Sequence, residues 1–150
     1  MAQSLACVHL HLIFSTKHRE PVLNDAIRGA LHEYMGAVLQ ALNCGPELIN
    51  SVEDHVHILF ELSRTSAISN VAEEVKKRSS KWLKTQGPSF ARFSWQGGYA
   101  VFAVSKSDVS KVRKYIAGQK EHHCKIEFQS ELRALLEANG IPFDERYLWD

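Results

Sequence analysis

At 150 residues the chain has the length of one ordinary domain, and its 45% hydrophobic and 23% charged content excludes a disordered or fibrous protein. No apolar run approaches the roughly 18 residues of a membrane helix, and residues 1–15 lack the pattern of a secretory signal, so a cytoplasmic domain spanning 1–150, without membrane contact, is expected. The net charge of +1 hides an asymmetry: from Lys76 to Lys125 twelve basic residues face only two acids, Asp108 and Glu121, whereas six bases and fifteen acids make up the rest. A segment of +10 in a body of −9 suits a polyanion, most commonly nucleic acid, or a solvated helix face balanced by acidic neighbours. Cys7, Cys44 and Cys124 are odd in number and lack C-x-x-C spacing, which predicts buried thiols, not a disulfide framework or thiolate zinc site.

Residues 7–14 alternate Val8, Leu10, Leu12 and Phe14 with His9, His11 and Ile13, the period of a half-buried strand. A polar turn with Lys17, Arg19 and Pro21 follows. Asn24 then caps a helix whose apolar positions Ile27, Leu31, Met35, Val38 and Leu42 recur every three or four residues until Asn43 and Gly45. Residues 48–52 and 55–62 read as two strands of a hairpin turning at Glu53-Asp54. A second helix carries Ile68, Val71, Val75 and Leu83 inward and Lys77, Lys81 and Lys84 on another face, ending at Gly87-Pro88. Trp95-Gln96 is a short strand or loop, and a fourth strand covers 99–105. Ser105 or Ser107 caps a third helix to about His123, and a fourth spans about 127–139. An aromatic tail, 140–150, is expected to pack on the body or on a partner.

The order strand, helix, strand, strand, helix, strand predicts an α+β ferredoxin-like split βαβ sandwich. Its four- to five-stranded sheet, antiparallel or mixed, carries the first two helices on one face and leaves the other open, with a tyrosine-bearing helix added towards the C-terminus.

In Asp54-His55-Val56-His57-Ile58-Leu59 the histidines are two apart, so in a strand both imidazoles leave one face while Val56 and Ile58 enter the core. Two imidazoles so placed can converge on one metal ion, although two surface histidines would show the same spacing. His9-Leu10-His11 repeats it on the first strand, and spacing alone does not choose between the pairs. On the third helix Tyr115 and Gln119 are four apart and share a face next to Lys111, beside an apolar stripe of Val109, Val112 and Ile116. Taken singly, Tyr115 suits the edge of that stripe and Gln119 a solvated position.

Together, Asp-His-Val-His-Ile-Leu at 54–59 and Tyr115-x-x-x-Gln119 resemble the single-tyrosine HUH transposases of the insertion sequence 200/605 family, REP-associated tyrosine transposase relatives included. His11-Leu-Ile-Phe-Ser-Thr-Lys17-His-Arg19 and Trp95-Gln-Gly-Gly-Tyr99 extend the resemblance over nearly the whole chain. It implies Tyr115 as nucleophile, His55, His57 and Gln119 as metal ligands, and Mg²⁺ or Mn²⁺ as the cofactor. A free phenol with a pKa of about 10 is a poor nucleophile at neutral pH, so a cation that polarises the phosphate is needed. The resemblance further implies single-stranded DNA with hairpins as substrate, a 5′-phosphotyrosine intermediate, and a nucleoid-associated homodimer in which one subunit's tyrosine can serve its partner's histidines. Lys77, Lys81, Lys84, Lys111, Arg113 and Lys114, with Lys17 and Arg19, are the candidate backbone contacts. His122 and His123 could approach the metal or the DNA, or fray at the surface.

Three rival readings remain at this level. One is a domesticated relative that processes genomic palindromes, and another a non-catalytic nucleic-acid-binding module. The third, a metal-dependent phosphoesterase, is weakened because Glu61 is the only carboxylate the sequence places near the histidines as a general base.

Overall fold

A computed structural model describes residues 2–123 and 126–150; Cys124 and Lys125, counted above among the thiols and the basic residues, lie outside the described residues. Four strands, β1 (His9–Ser15), β2 (Gly45–Ser51), β3 (His55–Glu61) and β4 (Ala100–Val104), form one antiparallel sheet in the order β2-β3-β1-β4. With α1 (Asp25–Ala41) after β1 and α2 (Ile68–Leu83) after β3, this is the expected ferredoxin-like arrangement.

Alternation along the central strands sorts the chain into two faces. Leu10, Leu12 and Phe14 of β1 and Val56, Ile58 and Phe60 of β3 point to one side, where Leu31, Met35 and Leu39 of α1 and Val71 and Val75 of α2 close the main core. Asn24 caps α1, its side chain accepting from the Ile27 amide at 3.2 Å. The aromatic cluster under α2 is pinned by Trp95, whose Nε1 donates to Ser79 Oγ at 3.0 Å and whose ring meets Phe14 and Phe93 edge-on. Trp95 also bridges to Thr16 as an isolated antiparallel pair, so the 95–96 segment is an extension at the sheet margin and not a fifth strand.

The second face is not open, contrary to the sequence expectation. It is covered by α3 (Val109–Ala117), α4 (Gln119–His122) and α5 (Phe128–Ala138). Val109 and Ile116 pack on Leu59, while Phe128, Leu132 and Leu136 pack on Ile13 and Phe102. An even number of apolar side chains on both faces of β1 and β3 would have announced this; here the second face is half histidine, which reads as polar.

Smaller departures have local causes. The expected third helix is broken at Gly118 (φ −87°, ψ 12°) into α3 and α4, glycine being a weak helix former. Its start is displaced too: Ser105 opens a 3₁₀ turn at Lys106–Asp108, and Asp108 precedes α3 without a side-chain cap bond. Cys44 is buried in the main core, but Cys7 is exposed because it precedes the first paired residue of β1. The tail, with α6 (Glu145–Leu148), packs on the body: the Trp149 ring lies 6.2 Å from that of Phe128, and the Gly97 and Gly98 amides donate to the Asp150 backbone oxygen at 2.7 and 3.2 Å. No helix among the described residues is long and apolar enough to cross a membrane.

Candidate active site

His55 and His57 leave β3 on the second face, as their spacing requires, with ring centroids 5.2 Å apart. Neither is exposed to solvent. Each ring has one nitrogen held from outside β3. His55 Nδ1 is 2.7 Å from Asp54 Oδ1, and His57 Nδ1 is 2.8 Å from His11 Nε2. The repeated H-x-H on β1 therefore divides: His11 joins the site, whereas His9 lies at the far end of the strand, 3.8 Å from Glu47.

The opposite wall comes from α3 to α5. Tyr115 donates a short hydrogen bond to the Glu131 carboxylate, and Gln119 Nε2 donates to Glu131 Oε2 at 3.2 Å. His57 Nε2 lies 3.1 Å from Glu131 Oε1, His123 Nε2 3.2 Å from the same oxygen, and His122 Nε2 3.1 Å from Oε2. Tyr115 and Gln119 do share a face, but Gln119 is fully buried, not solvated. His122 and His123 turn inward instead of fraying. Glu131 is the residue that sequence reasoning missed, and the expectation that only Glu61 would stand near the histidines is overturned: Glu61 sits opposite His9, at the other end of β3 from His55. A buried acid on the apolar side of an amphipathic helix, next to Phe128 and Leu132, is the signal that could have found it.

The electrostatics follow from burial. Burial pushes the Glu131 carboxyl up, but the imidazoles of His123, His55 and His57 overcome this and hold it well below the usual range. Burial lowers His57 to about 4 despite the attraction of Glu131, and burial with repulsion from His57 lowers His11 to about 3. Burial also acts against the charged form of His55, but the Asp54 and Glu131 carboxylates outweigh it and raise its pKa above 6.5. Burial and the neighbouring Glu131 charge push the Tyr115 phenol above its ordinary value.

The donors fit a divalent cation. His55 Nε2 is buried 3.5 Å from Glu131 Oε1 and makes no hydrogen bond; one ligand atom each from His55, His57, His123 and Glu131 lies within 4.8 Å of the others. Two clefts flank the cluster. One, of about 260 Å³, is lined by Arg19, Asp54, His123 and Phe128; the other, of about 270 Å³, by His11, Lys111, Val112, Tyr115 and Leu135.

The candidate basic contacts do not form one stripe. Lys77, Lys81 and Lys84 are exposed on α2, across the sheet from the histidines, whereas Lys111, Arg113 and Lys114 are exposed on α3 beside them. Arg113 is bonded to Glu47 on β2, and the Arg19 guanidinium lies 5.8 Å from the Trp149 ring centroid. Lys17 is half-buried in the turn after β1.

The sequence profile of the family described as IS200-like transposases matches residues 4–119. The chain belongs to that family. Transposases of this type cleave DNA and are metal-dependent, and the matched span contains His55, His57, Tyr115 and Gln119 but stops short of His123 and Glu131. The ISDra2 transposase TnpA of Deinococcus radiodurans is 26% identical over 118 residues, which cover 74% of this chain and 83% of that protein. Among solved structures, a candidate transposase from Deinococcus radiodurans R1 superimposes with a TM-score of 0.62 at 21% identity, covering 79% of this chain and 98% of its own. A REP-associated tyrosine transposase bound to a REP hairpin superimposes at 0.59 and 14% identity, over 84% of this chain and 76% of its own. These two likenesses share the fold of this IS200-like transposase.

Proposed function

We propose that this transposase cuts and rejoins single-stranded DNA at hairpin-bearing ends, with Tyr115 as nucleophile and a divalent cation, Mg²⁺ or Mn²⁺, at His55 and His57. The observation that carries this reading is the convergence of the Tyr115 hydroxyl and the His57 imidazole on one carboxylate, Glu131, with His55 Nε2 turned to the same point. Bound there, the cation would polarise the scissile phosphate and offset the charge that develops on it.

The chain's own residues supply the rest. Asp54 and His11 each hold the far nitrogen of one imidazole, which fixes both rings without using their inward nitrogens. Glu131 and the α3 backbone hold the phenol oxygen of Tyr115 beside the pair. The Tyr115 oxygen forms a bond to phosphorus as the bond from phosphorus to the 3′-oxygen breaks, the phenol proton leaving and the 3′-oxygen gaining one. The product is a 5′-phosphotyrosine and a free 3′-hydroxyl. Because the ester energy is retained, a second 3′-hydroxyl can displace the tyrosine without ATP.

Lys111 and Arg19 line the clefts on either side of the cluster, so the strand to be cut would cross between them, helped by Lys17, Arg113 and Lys114. Lys77, Lys81 and Lys84 would hold the hairpin on the far side of the sheet. The chemistry is proposed within one chain, each using its own Tyr115, whether or not two chains pair.

The test is incubation with Mn²⁺ or Mg²⁺ and a labelled single strand carrying a hairpin. An SDS-resistant adduct is expected from the wild type and none from Tyr115→Phe, with hairpin binding retained in both. An adduct that persists in Tyr115→Phe would overturn the nucleophile. Tight hairpin binding with no wild-type adduct would instead establish the non-catalytic binding module.

A further inference from the structure

The two clefts beside the histidine cluster differ in chemistry. The lining of the one of about 260 Å³ brings Arg19 and His123 together with three acids, Glu53, Asp54 and Glu127. The one of about 270 Å³ is walled by Val112 of α3, Leu135 of α5 and the rings of His11 and Tyr115, with Asp108 and Lys111 at its exposed rim. The Asp108 carboxylate already accepts from the Ser105 hydroxyl at 3.1 Å. The two rings meet edge-on, 6.2 Å apart and at 72°, and make an aromatic corner.

We propose that the second cleft receives one nucleobase of the strand being cut, that of the nucleotide whose 5′-phosphate becomes joined to Tyr115, and that it holds this base by stacking and not by its hydrogen-bonding edge. The proposal rests on Tyr115 as the nucleophile and adds where the adjoining base goes.

Three observations support it. First, a nucleobase is flat with apolar faces, which aromatic and aliphatic walls suit, and such stacking accepts any base. The phosphate that follows the base is an anion, and Lys111, one helical turn before Tyr115, stands exposed at the rim to meet it. Second, the cleft lies on one side of the reaction. The attacking and leaving oxygens stand in line on opposite sides of phosphorus. The Tyr115 ring is on the attacking side and is itself a wall of the cleft, so the nucleoside that leaves with its 3′-oxygen is directed away from it. The nucleoside that stays attached through its 5′-oxygen can fold back over the ring. Third, the walls are fixed before any strand arrives. His11 is 4% exposed and bonded to His57, and Val112 and Leu135 pack in the clusters that seat α3 and α5 on the sheet.

Held in this way, the strand joined to Tyr115 keeps its place while the released 3′-hydroxyl end departs and another enters.

The experiment uses the full chain with Mn²⁺ and a labelled, hairpin-bearing single strand whose cut position is first mapped on the intact strand. A single abasic site just downstream of the cut is expected to slow formation of the SDS-resistant adduct about 10-fold. A flat surrogate without Watson–Crick groups, such as nitroindole, should restore the rate at that position. Val112→Ala and Leu135→Ala should slow the intact strand and abolish most of the abasic penalty, with hairpin binding unchanged as the check that both variants are folded. The substrate series on the wild type needs no variant. An abasic strand cut as fast as the intact one would overturn the proposal. So would a penalty that nitroindole does not relieve, one that persists undiminished in both wall variants, or one that belongs instead to the upstream nucleotide. In each of those cases the intact strand still forms its adduct and Tyr115 stands as the nucleophile. If no strand yields an adduct with the wild type, the nucleophile fails and the base cleft falls with it.

Discussion

The side chains that make β3 chemically useful are held by partners far away in sequence. His11 is 46 residues from His57, and Glu131 is 74 residues from it. Asn50 does the same for the tyrosine helix: opposite His57 in the β2–β3 register, it donates from Nδ2 to the Ile116 carbonyl at 2.8 Å. That bond ties the end of α3, one residue past Tyr115, to the sheet that carries the histidines. Asn50→Ala leaves the carbonyl without this donor and should cost about 1 kcal/mol of stability. It should also slow adduct formation several-fold with hairpin binding unchanged, measured by urea unfolding and by the gel assay; an unaltered adduct rate would mean that Asn50 has no part in placing Tyr115. Of these residues, His55 and His57 were legible because strand periodicity fixes which side they leave. Glu131 was legible only in part: its helical spacing from Phe128, Leu132 and Leu136 turns it inward, but nothing local says that histidines far away in sequence would face it.

At the scale of elements, α1 and α2 build the core while α5 builds the site. Both kinds of helix are amphipathic, and burial of Leu31 on α1 and Leu132 on α5 is comparably complete. Leu31→Ala and Leu132→Ala should each destabilise by about 2–5 kcal/mol. They should differ in function: at a temperature where both are folded, Leu132→Ala loosens the helix that carries Glu131 and Phe128 and should weaken divalent-ion binding, whereas Leu31→Ala should leave it intact. Equal loss in the two variants would refute the separation of roles. The boundaries of α1, α2, β3 and β4 were readable from periodicity and capping to within a few residues. The closure of the second face was not, since it depends on where α5 docks, whereas the break at Gly118 has a local cause that a reading by apolar periodicity passes over.

Across the whole molecule, buried neutral histidines tie stability to pH. His11 is lowered to about 3 by burial and repulsion from His57, His57 to about 4 by burial, and His32 to about 4 by burial and the nearby Arg28 charge. An unfolded histidine titrates near 6.5, so in each case the unfolded chain takes up its proton first. The stability these groups contribute is complete above pH about 6.5 and is lost as pH falls towards 4. His55, with its raised pKa, acts in the opposite sense and offsets part of the loss. The chelator-treated protein should accordingly lose on the order of 3 kcal/mol between pH 7.5 and pH 4.5, read as a falling urea midpoint. A midpoint that holds or rises over that range would show that these rings are not neutral in the fold.

The sequence by itself determined the ferredoxin-like order of strands and helices, the shared face of His55 and His57, and the family to which the chain belongs. Those features depend on spacings of two to four residues along a strand or helix, which the regular geometry of the backbone converts directly into direction. Only the tertiary structure decided that the second sheet face is covered, that His11 and not His9 joins the site, and that Glu131 and His123 stand between the tyrosine and the histidine pair. Each of these is a contact between elements many residues apart, set by how apolar side chains such as Phe128, Leu132 and Leu136 pack against the sheet and not by any local pattern.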